Sequence, residues 1–433
     1  MISAITQLPL AVRYSRSEAT RTRLIMGGLT VGVAGACLYW SDIEHFFYVI
    51  LGLQAAILLL YGAQRIAPSI SRERADRTWD FQRLTPQSSW DIVLGKLLGA
   101  PLYAYFLAAA FIPWLIVAQA SDTSVPLDVA CRSVGLLATI TFGVLAIALM
   151  GSAYTERDKT AQAATVGALL SVMGLFTMGG LTFRSAPGNA AFYGFHVSPD
   201  ALVMFSAVAA GLWALAAAAW RVGLDLLEPR RAWRLPAFMA FFAWYIVGLM
   251  RDTPGYEEGA AAMTAVAASL AVLYVAAWSN REGIDDWKRW AAATGSNRLD
   301  RAPLWVIGLV TAAGIAAVVA ALLPLGSAGR IVLLLPLFAA RDLLFLQWCR
   351  LTKSRRPDAM ATIYLTLVYA LPLIVLGSLR VNQAIFVFVP FPDERLGAAI
   401  NAAPVAAQTA LMAWAVARSL APHLAGAQQS PAA

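Results

Sequence analysis

Two clusters of charge interrupt an otherwise apolar chain, and they delimit the chemistry open to it. The first is the run RERADRTWDFQRLTPQSSWDIVLGK from Arg72 to Lys96, set between long hydrophobic stretches. The second is the adjacent pair Arg341–Asp342, embedded in another such stretch. Neither brings together a nucleophile, a base and an orienting group, so neither reads as a catalytic constellation. His45, His196 and His423 stand alone, and Cys37, Cys131 and Cys349 have no paired spacing, which suggests neither a metal site nor a disulfide framework. A phosphate-binding G-x-x-x-x-G-K-[ST] loop is missing, because Gly95–Lys96 is followed by leucine at the start of an apolar run. The chain therefore reads as a non-enzyme with no cofactor of its own. What these residues offer is electrostatic pairing and docking.

The elements that carry these clusters follow from composition. Of 433 residues, 59% are hydrophobic and only 13% charged, too little polar surface to cover a water-soluble globule. A helix crosses a hydrocarbon core with roughly 20 apolar residues, and helices are the form in which such runs satisfy their own backbone. Twelve stretches qualify, near 24–40, 46–63, 97–119, 129–154, 162–183 and 201–221 in the first half, and 236–250, 260–278, 304–325, 331–348, 359–378 and 396–418 in the second. The seventh is the shortest. The expected fold is an all-α polytopic membrane protein. An even number of spans puts both termini on one side, and the loops on that side hold all but seven of the 33 Lys and Arg: Arg132, Arg184, Arg251, Arg330, Arg380 and Arg395 fall opposite and Arg341 within a span. Positive charge stays in the cytoplasm during insertion, so both termini are expected to be cytoplasmic. The net charge of +8 then reflects orientation, not nucleic-acid binding. Residues 2–23, with Arg13, Arg16, Arg21 and Arg23, read as an amphipathic helix lying on lipid headgroups ahead of an uncleaved anchor.

The two halves share an order of parts: two spans, a long charged segment, two spans, a short basic loop, and two spans around an aromatic loop. This divides the chain into a six-helix unit over 1–225 and a divergent one over 226–420, with a disordered tail over 421–433. Arg72–Lys96 then has a counterpart in Asp285, Asp286, Trp287, Lys288 and Arg289, and the aromatic loop 184–200 has one in 380–395. Loop 184–200, with Phe192, Tyr193, Phe195 and His196, is too apolar to be free and reads either as a re-entrant helix pair or as part of an interfacial aromatic belt. Units of one orientation are related by an axis along the membrane normal, with a path for substrate between them. A buried charge at a span centre costs about 2.5–3.5 kcal/mol on insertion scales, so Arg341 and Asp342 call for partners, as an interhelical bridge or as a substrate or proton site.

Within the first charged segment the pattern predicts a helix over 69–84, a turn at Thr85–Pro86, and a second helix opened by Ser88 or Ser89 with Asp91 reaching back as a cap. A loop that served only the orientation rule would have no need of Trp79, Phe81 and Trp90 interleaved with its charge.

Here the sequence resembles the ABC type-2 exporter permeases. Their segment after the second span reads as an acidic-basic pair, Gly-Thr and an acidic residue, Thr-Pro-Leu-Ser, then an acidic residue leading into Gly-Lys. This chain offers Glu73–Arg74, Thr78 and Asp80, Thr85–Pro86, Ser88, Asp91, and Gly95–Lys96 in that order, with Trp79 and Arg83 among them. It departs at Arg77, where glycine is usual, and at Gln87, where leucine is usual. The resemblance covers about the first 225 residues. It implies that 69–96 is a coupling helix docking on a separate ABC ATPase, in two copies, which holds the ATP and Mg. The chain would then be the permease subunit of an exporter in a bacterial inner membrane, surrounded by lipid and moving a substrate that the sequence does not specify. One chain supplies both halves of the pathway, or two chains pair. The rival readings are an ion-coupled secondary transporter and a membrane-embedded enzyme.

Overall fold

The computed structural model describes residues 20–41, 45–84, 86–121, 125–155, 190–229, 231–250, 258–280, 282–295, 297–322, 326–352, 356–379, 382–390 and 398–425. They form two compact units, one of residues up to 190 with 197–229, the other of 191–196 with 230 onward.

The first unit opens with α1 (Arg21–Trp40), then α2, which runs as Phe46–Ala56, a π-helical stretch Ile57–Gly62 and Ala63–Ile66. Three short elements follow, α3 (Ser69–Ala75), α4 (Trp79–Arg83) and α5 (Ser89–Gly99), before the long helices α6 (Leu102–Ser121), α7 (Leu127–Tyr154) and α8 (Pro199–Asp225). Its core is built from the buried faces of α2, α5, α7 and α8, with Phe47, Ile50, Ile66, Ile92, Leu145 and Leu149 almost wholly enclosed. Helices α7 and α8 approach closely because both carry glycine at the crossing. A Cβ at Gly143 would stand 2.9 Å from the Ala207 carbonyl oxygen, and one at Gly211 would stand 2.5 Å from the Phe142 ring. Small residues let backbones meet in this way where lipid offers no hydrophobic drive between helices.

The second unit contains α9 (Arg234–Met250), α10 (Glu258–Ser279), α11 (Ile284–Ala291), α12 (Asn297–Asp300), α13 (Leu304–Leu322), α14 (Gly326–Leu351), α15 (Pro357–Ser378), a 3-10 turn η1 (Asn382–Val387) and α16 (Ala398–Ala425). Ala262, Val266 and Leu273 on α10 and Ala312 and Ala316 on α13 are fully enclosed, whereas Ile363 and Ile374 on α15 are 61% and 67% exposed. Apolar surface of that extent is compatible with lipid and not with water.

Ten helices among the described residues are long and apolar enough to cross a membrane. The chain is an all-α polytopic membrane protein. The count differs from the expected twelve at two places. The seventh stretch forms α9, only 17 residues long, and the fifth, 162–183, lies outside the described residues, as do the basic loop 156–159, residues 2–19 and 426–433. Helix also continues through Ala425, past the expected start of the tail at 421.

The aromatic loop before α8 is a β-hairpin over its described part, not a helix pair: β1 (Ala190–Phe192) pairs with β2 (Phe195–Val197). Its two-residue turn has φ of 50° at Tyr193 and 79° at Gly194, the left-handed pair that suits the twist of a tight hairpin. Tyr193 stacks on Trp244 of α9 at 5.7 Å and donates its hydroxyl to the Trp244 carbonyl at 2.7 Å.

Candidate functional site

The charged segment of the first unit is an elbow of three short helices, not two helices about a single turn, because the helix expected over 69–84 is divided after Ala75. Helix α3 ends at Ala75 because Arg77 takes φ 59°. The amide of Thr78 then donates to the Glu73 carbonyl at 3.0 Å and that of Arg77 to the Arg74 carbonyl at 3.4 Å. These are the two bonds of a Schellman stop, whose left-handed position is normally glycine. Arg77 is the residue at which the chain departs from the permease pattern, and the backbone there has the glycine conformation. Arg77→Gly is accordingly expected to stabilise the elbow by up to about 1 kcal/mol, raising the unfolding midpoint in detergent by at most about 1 °C. The Thr78 hydroxyl adds a bond to the Glu73 carbonyl at 3.3 Å.

Helix α5 carries the expected cap. Ser88 Oγ accepts from the Asp91 amide at 3.2 Å, and the Asp91 carboxylate accepts from the Ser88 amide at 3.0 Å. Pro86 ahead of it is exposed, and Thr85 lies outside the described residues.

The motif residues separate into two sets. One set faces into its own unit. Lys96 is completely buried, pairs with Glu73 at 2.5 Å and donates to the Ser69 carbonyl at 3.1 Å; Gly95 beside it is also buried. Gln82 donates to the same Glu73 carboxylate at 2.7 Å. Arg74 donates to Asp225 at the end of α8 and to the Ala153 carbonyl at the end of α7, both at 2.6 Å, and its guanidinium lies 5.3 Å from the centre of the buried Trp79 ring. Ser152 Oγ accepts from the Ile70 and Ser71 amides at 3.0 and 3.2 Å, satisfying the free donors that open α3. Glu228 accepts from the amide and hydroxyl of Ser89, each at 2.8 Å. Six hydrogen bonds thus fasten the elbow to the end of α7 and to the end of α8 with the turn after it.

The other set points away. Arg72, Asp76, Arg77, Asp80, Arg83, Pro86 and Ser88 are exposed, as are Leu84 at 83% and Trp90 at 43%. The Arg83–Asp80 contact at 4.0 Å and the Arg72–Asp76 contact at 3.7 Å are solvated and contribute little. The exposed set combines charges with two large apolar side chains, Leu84 and Trp90.

No family model, curated protein or solved structure matches this chain.

In the second unit the corresponding residues form α11. Asp286 accepts from the Gly283 amide at 2.9 Å and from Arg289 at 2.8 Å; Asp285 and Arg289 are exposed and Lys288 half-buried. Trp287 is buried against Trp290 and Trp305, with centroids at 5.5 and 6.1 Å. Glu282, just before α11, is buried and accepts from the Leu304 amide at 2.7 Å. It plays for α13 the part that Glu228 plays for α5. Arg350, closing α14, donates to Asp358 at 2.7 Å and to the Ala277 and Asn280 carbonyls at 2.9 and 3.1 Å. In each unit, then, an arginine ties the carbonyl end of one helix to another.

The pair on α14 has the partners that its position demands. Arg341 Nε donates to Asp342 Oδ1 at 2.9 Å, and Asp342 Oδ2 accepts from Tyr274 of α10 at 2.7 Å and Tyr369 of α15 at 2.6 Å. Arg341 Nη1 donates to Gln408 of α16 at 2.9 Å and to the Phe388 carbonyl at 3.4 Å.

Sequence reasoning did not find Ser152, Asp225, Glu228, Gln82, Tyr274, Tyr369 or Gln408. Asp225 and Glu228 had one available signal, as carboxylates at the charged end of a span.

Proposed function

We propose that this chain is the membrane permease subunit of an ATP-driven exporter of the ABC type-2 kind, worked by a separate ABC ATPase that docks on the exposed face of the elbow. The observation that carries the reading is the division of the motif. Its inward residues are used within the unit, Glu73 pairing with Lys96 inside the elbow and Arg74, over Trp79, binding the elbow to the ends of α7 and α8, while Asp80, Arg83, Leu84 and Trp90 are left to meet a partner. A push on the outward face would pass through the buried contacts into two long helices as a rigid body. Helix α11, with Asp285 and Arg289 exposed, offers a lesser second contact for the other ATPase copy. On this reading the elbow and both termini are cytoplasmic, the membrane is the bacterial inner membrane, and ATP and Mg are held by the partner.

The ion-coupled alternative needs a mid-span carboxylate that can exchange an ion. Asp342 is instead held by Arg341, Tyr274 and Tyr369 together.

The test is co-purification of the tagged chain with its candidate ATPase, comparing wild type with Asp80→Ala/Leu84→Ala/Trp90→Ala. All three side chains are exposed, so the variant is expected to keep its membrane level and unfolding midpoint while capture falls at least tenfold. Failure of the wild type to capture any ABC ATPase, or undiminished capture by the variant, would sink the docking reading.

A further inference from the structure

We infer that the second unit binds the phosphate of an anionic phospholipid through Arg231, Arg298 and Arg301, where the start of α9 meets α12. The inference rests on the membrane-spanning fold and not on the docking reading.

Two separate stretches of chain are joined to make the site. Asp300 Oδ1 accepts from the Ala232 amide at 2.9 Å, which sets residues 231–233 beside 298–301. The Arg298 guanidinium lies 5.5 Å from the centre of the Trp290 ring; Trp290 meets Trp287 edge to face, and Trp287 is buried against Trp305 of α13. Arg298 is therefore positioned by a stack of rings rooted in a span. Helix α13 has 19 residues and is about 28 Å long, close to the thickness of the hydrocarbon core, so Leu304 marks the boundary of that core. Arg301 stands three residues before Leu304, and Arg231 three residues before Arg234, where α9 opens. At no more than about 3.5 Å per residue, both lie within about 10 Å of a helix start. That is the level of the headgroups.

Three guanidiniums gathered in this way repel one another and call for a counter-charge. All three are exposed, and among the described residues no carboxylate pairs with Arg231, Arg298 or Arg301. The nearest acid in sequence, Asp300, accepts from a backbone amide, and Asp286 of α11 is held by Arg289 at 2.8 Å. The counter-charge must come from outside the chain. Its nature follows from the apolar side chains among the arginines, Trp233 at 58% and Leu299 at 63% exposed. A soluble phosphate would leave both in water, whereas a phospholipid brings the top of an acyl chain beside its phosphate. Arginine suits the charged part, because its planar fork can hold two phosphate oxygens at once. A lipid bound by Arg231 on one side and by Arg298 and Arg301 on the other would bridge the start of α9 to the segment that leads into α13.

Lipid titration of the chain in dodecyl maltoside, with bound lipid counted by native mass spectrometry, tests the site. Wild type is expected to bind dioleoyl phosphatidylglycerol at least tenfold more tightly than dioleoyl phosphatidylcholine, and millimolar inorganic phosphate should not displace it. Each arginine near an anionic lipid surface is worth about fivefold in affinity, so Arg231→Gln/Arg298→Gln/Arg301→Gln should bind phosphatidylglycerol at least tenfold more weakly. Its unfolding midpoint in detergent alone should stay at the wild-type value, since the three side chains are exposed. Arg298→Lys keeps the charge but not the fork or the stack on Trp290, and should weaken binding about threefold or more. Equal affinity for the two lipids, or undiminished binding by the triple variant, would overturn the inference. Displacement by millimolar phosphate would overturn it in favour of a soluble anion, and wild-type binding by Arg298→Lys would reduce the site to diffuse charge.

Discussion

Glu73→Ala is expected to cost about 3–5 kcal/mol and to undo the elbow, because it leaves the Lys96 ammonium buried without its counter-ion. Lys96 has no solvent exposure at all, so it has no route by which to regain hydration without local unfolding. Its contact with the Ser69 carbonyl offsets only part of the cost. Removing the other partner, by Lys96→Met, should be as damaging, since the Glu73 carboxylate is then left to Gln82. The double variant Glu73→Gln/Lys96→Met removes both charges and should recover to within about 1–2 kcal/mol of wild type. Unfolding in detergent, together with protease nicking at Asp76–Thr78, measures all three. Wild-type unfolding of the Glu73→Ala protein would remove the structural role assigned to the pair. By contrast, Asp80→Ala should lie within about 0.5 kcal/mol of wild type, as an exposed substitution does. Loss of ATPase capture on changing Glu73 would therefore report a melted elbow, whereas loss on changing Asp80, Leu84 or Trp90 would report a lost surface.

That distinction marks what could be read from the sequence. Local signals survived: ten of the twelve apolar runs became helices long and apolar enough to span a membrane among the described residues, and Ser88 with Asp91 became a reciprocal cap because three residues of spacing suffice to build one. The continuous helix expected over 69–84 did not form, since nothing in Asp76–Arg77–Thr78 announces a stop and arginine is a good helix former. The stop is the left-handed backbone at Arg77, and it goes with long-range contacts that Arg74 makes to α7 and α8. Those contacts join residues as far as 151 positions apart, and no periodicity encodes them. The hairpin at Tyr193–Gly194 was masked in the same way, its short strands being too apolar to stand apart from the adjoining spans. What the sequence conveyed was the charged segment from Arg72 to Lys96 itself, and not Ser152, Asp225 and Glu228, which hold it. Which of the segment's residues face inward and which outward is a property of the fold, and it is the property on which the functional reading turns.

The second large effect concerns Asp342, where two accounts of a mid-membrane carboxylate predict different results. As a proton or ion site, Asp342→Asn would leave the fold intact and abolish transport alone. In the observed network the same change strands the Arg341 guanidinium, whose side chain is 6% exposed, and the loss should be about 3–5 kcal/mol. The asparagine carbonyl can still accept from Tyr274 or Tyr369, so the cost is that of the uncompensated cation. Asp342→Leu should be worse by a further 1–3 kcal/mol, because both hydroxyls then lose their acceptor. Arg341→Leu/Asp342→Leu removes the ion pair whole and should regain most of the electrostatic part, leaving the deficit of the two tyrosines and of Gln408. A double-mutant cycle on unfolding free energy, run beside a transport assay, separates the accounts: activity should fall in step with stability across the series, and an Asp342→Asn protein that is fully stable but inactive would transfer Asp342 from the scaffold to the transport path.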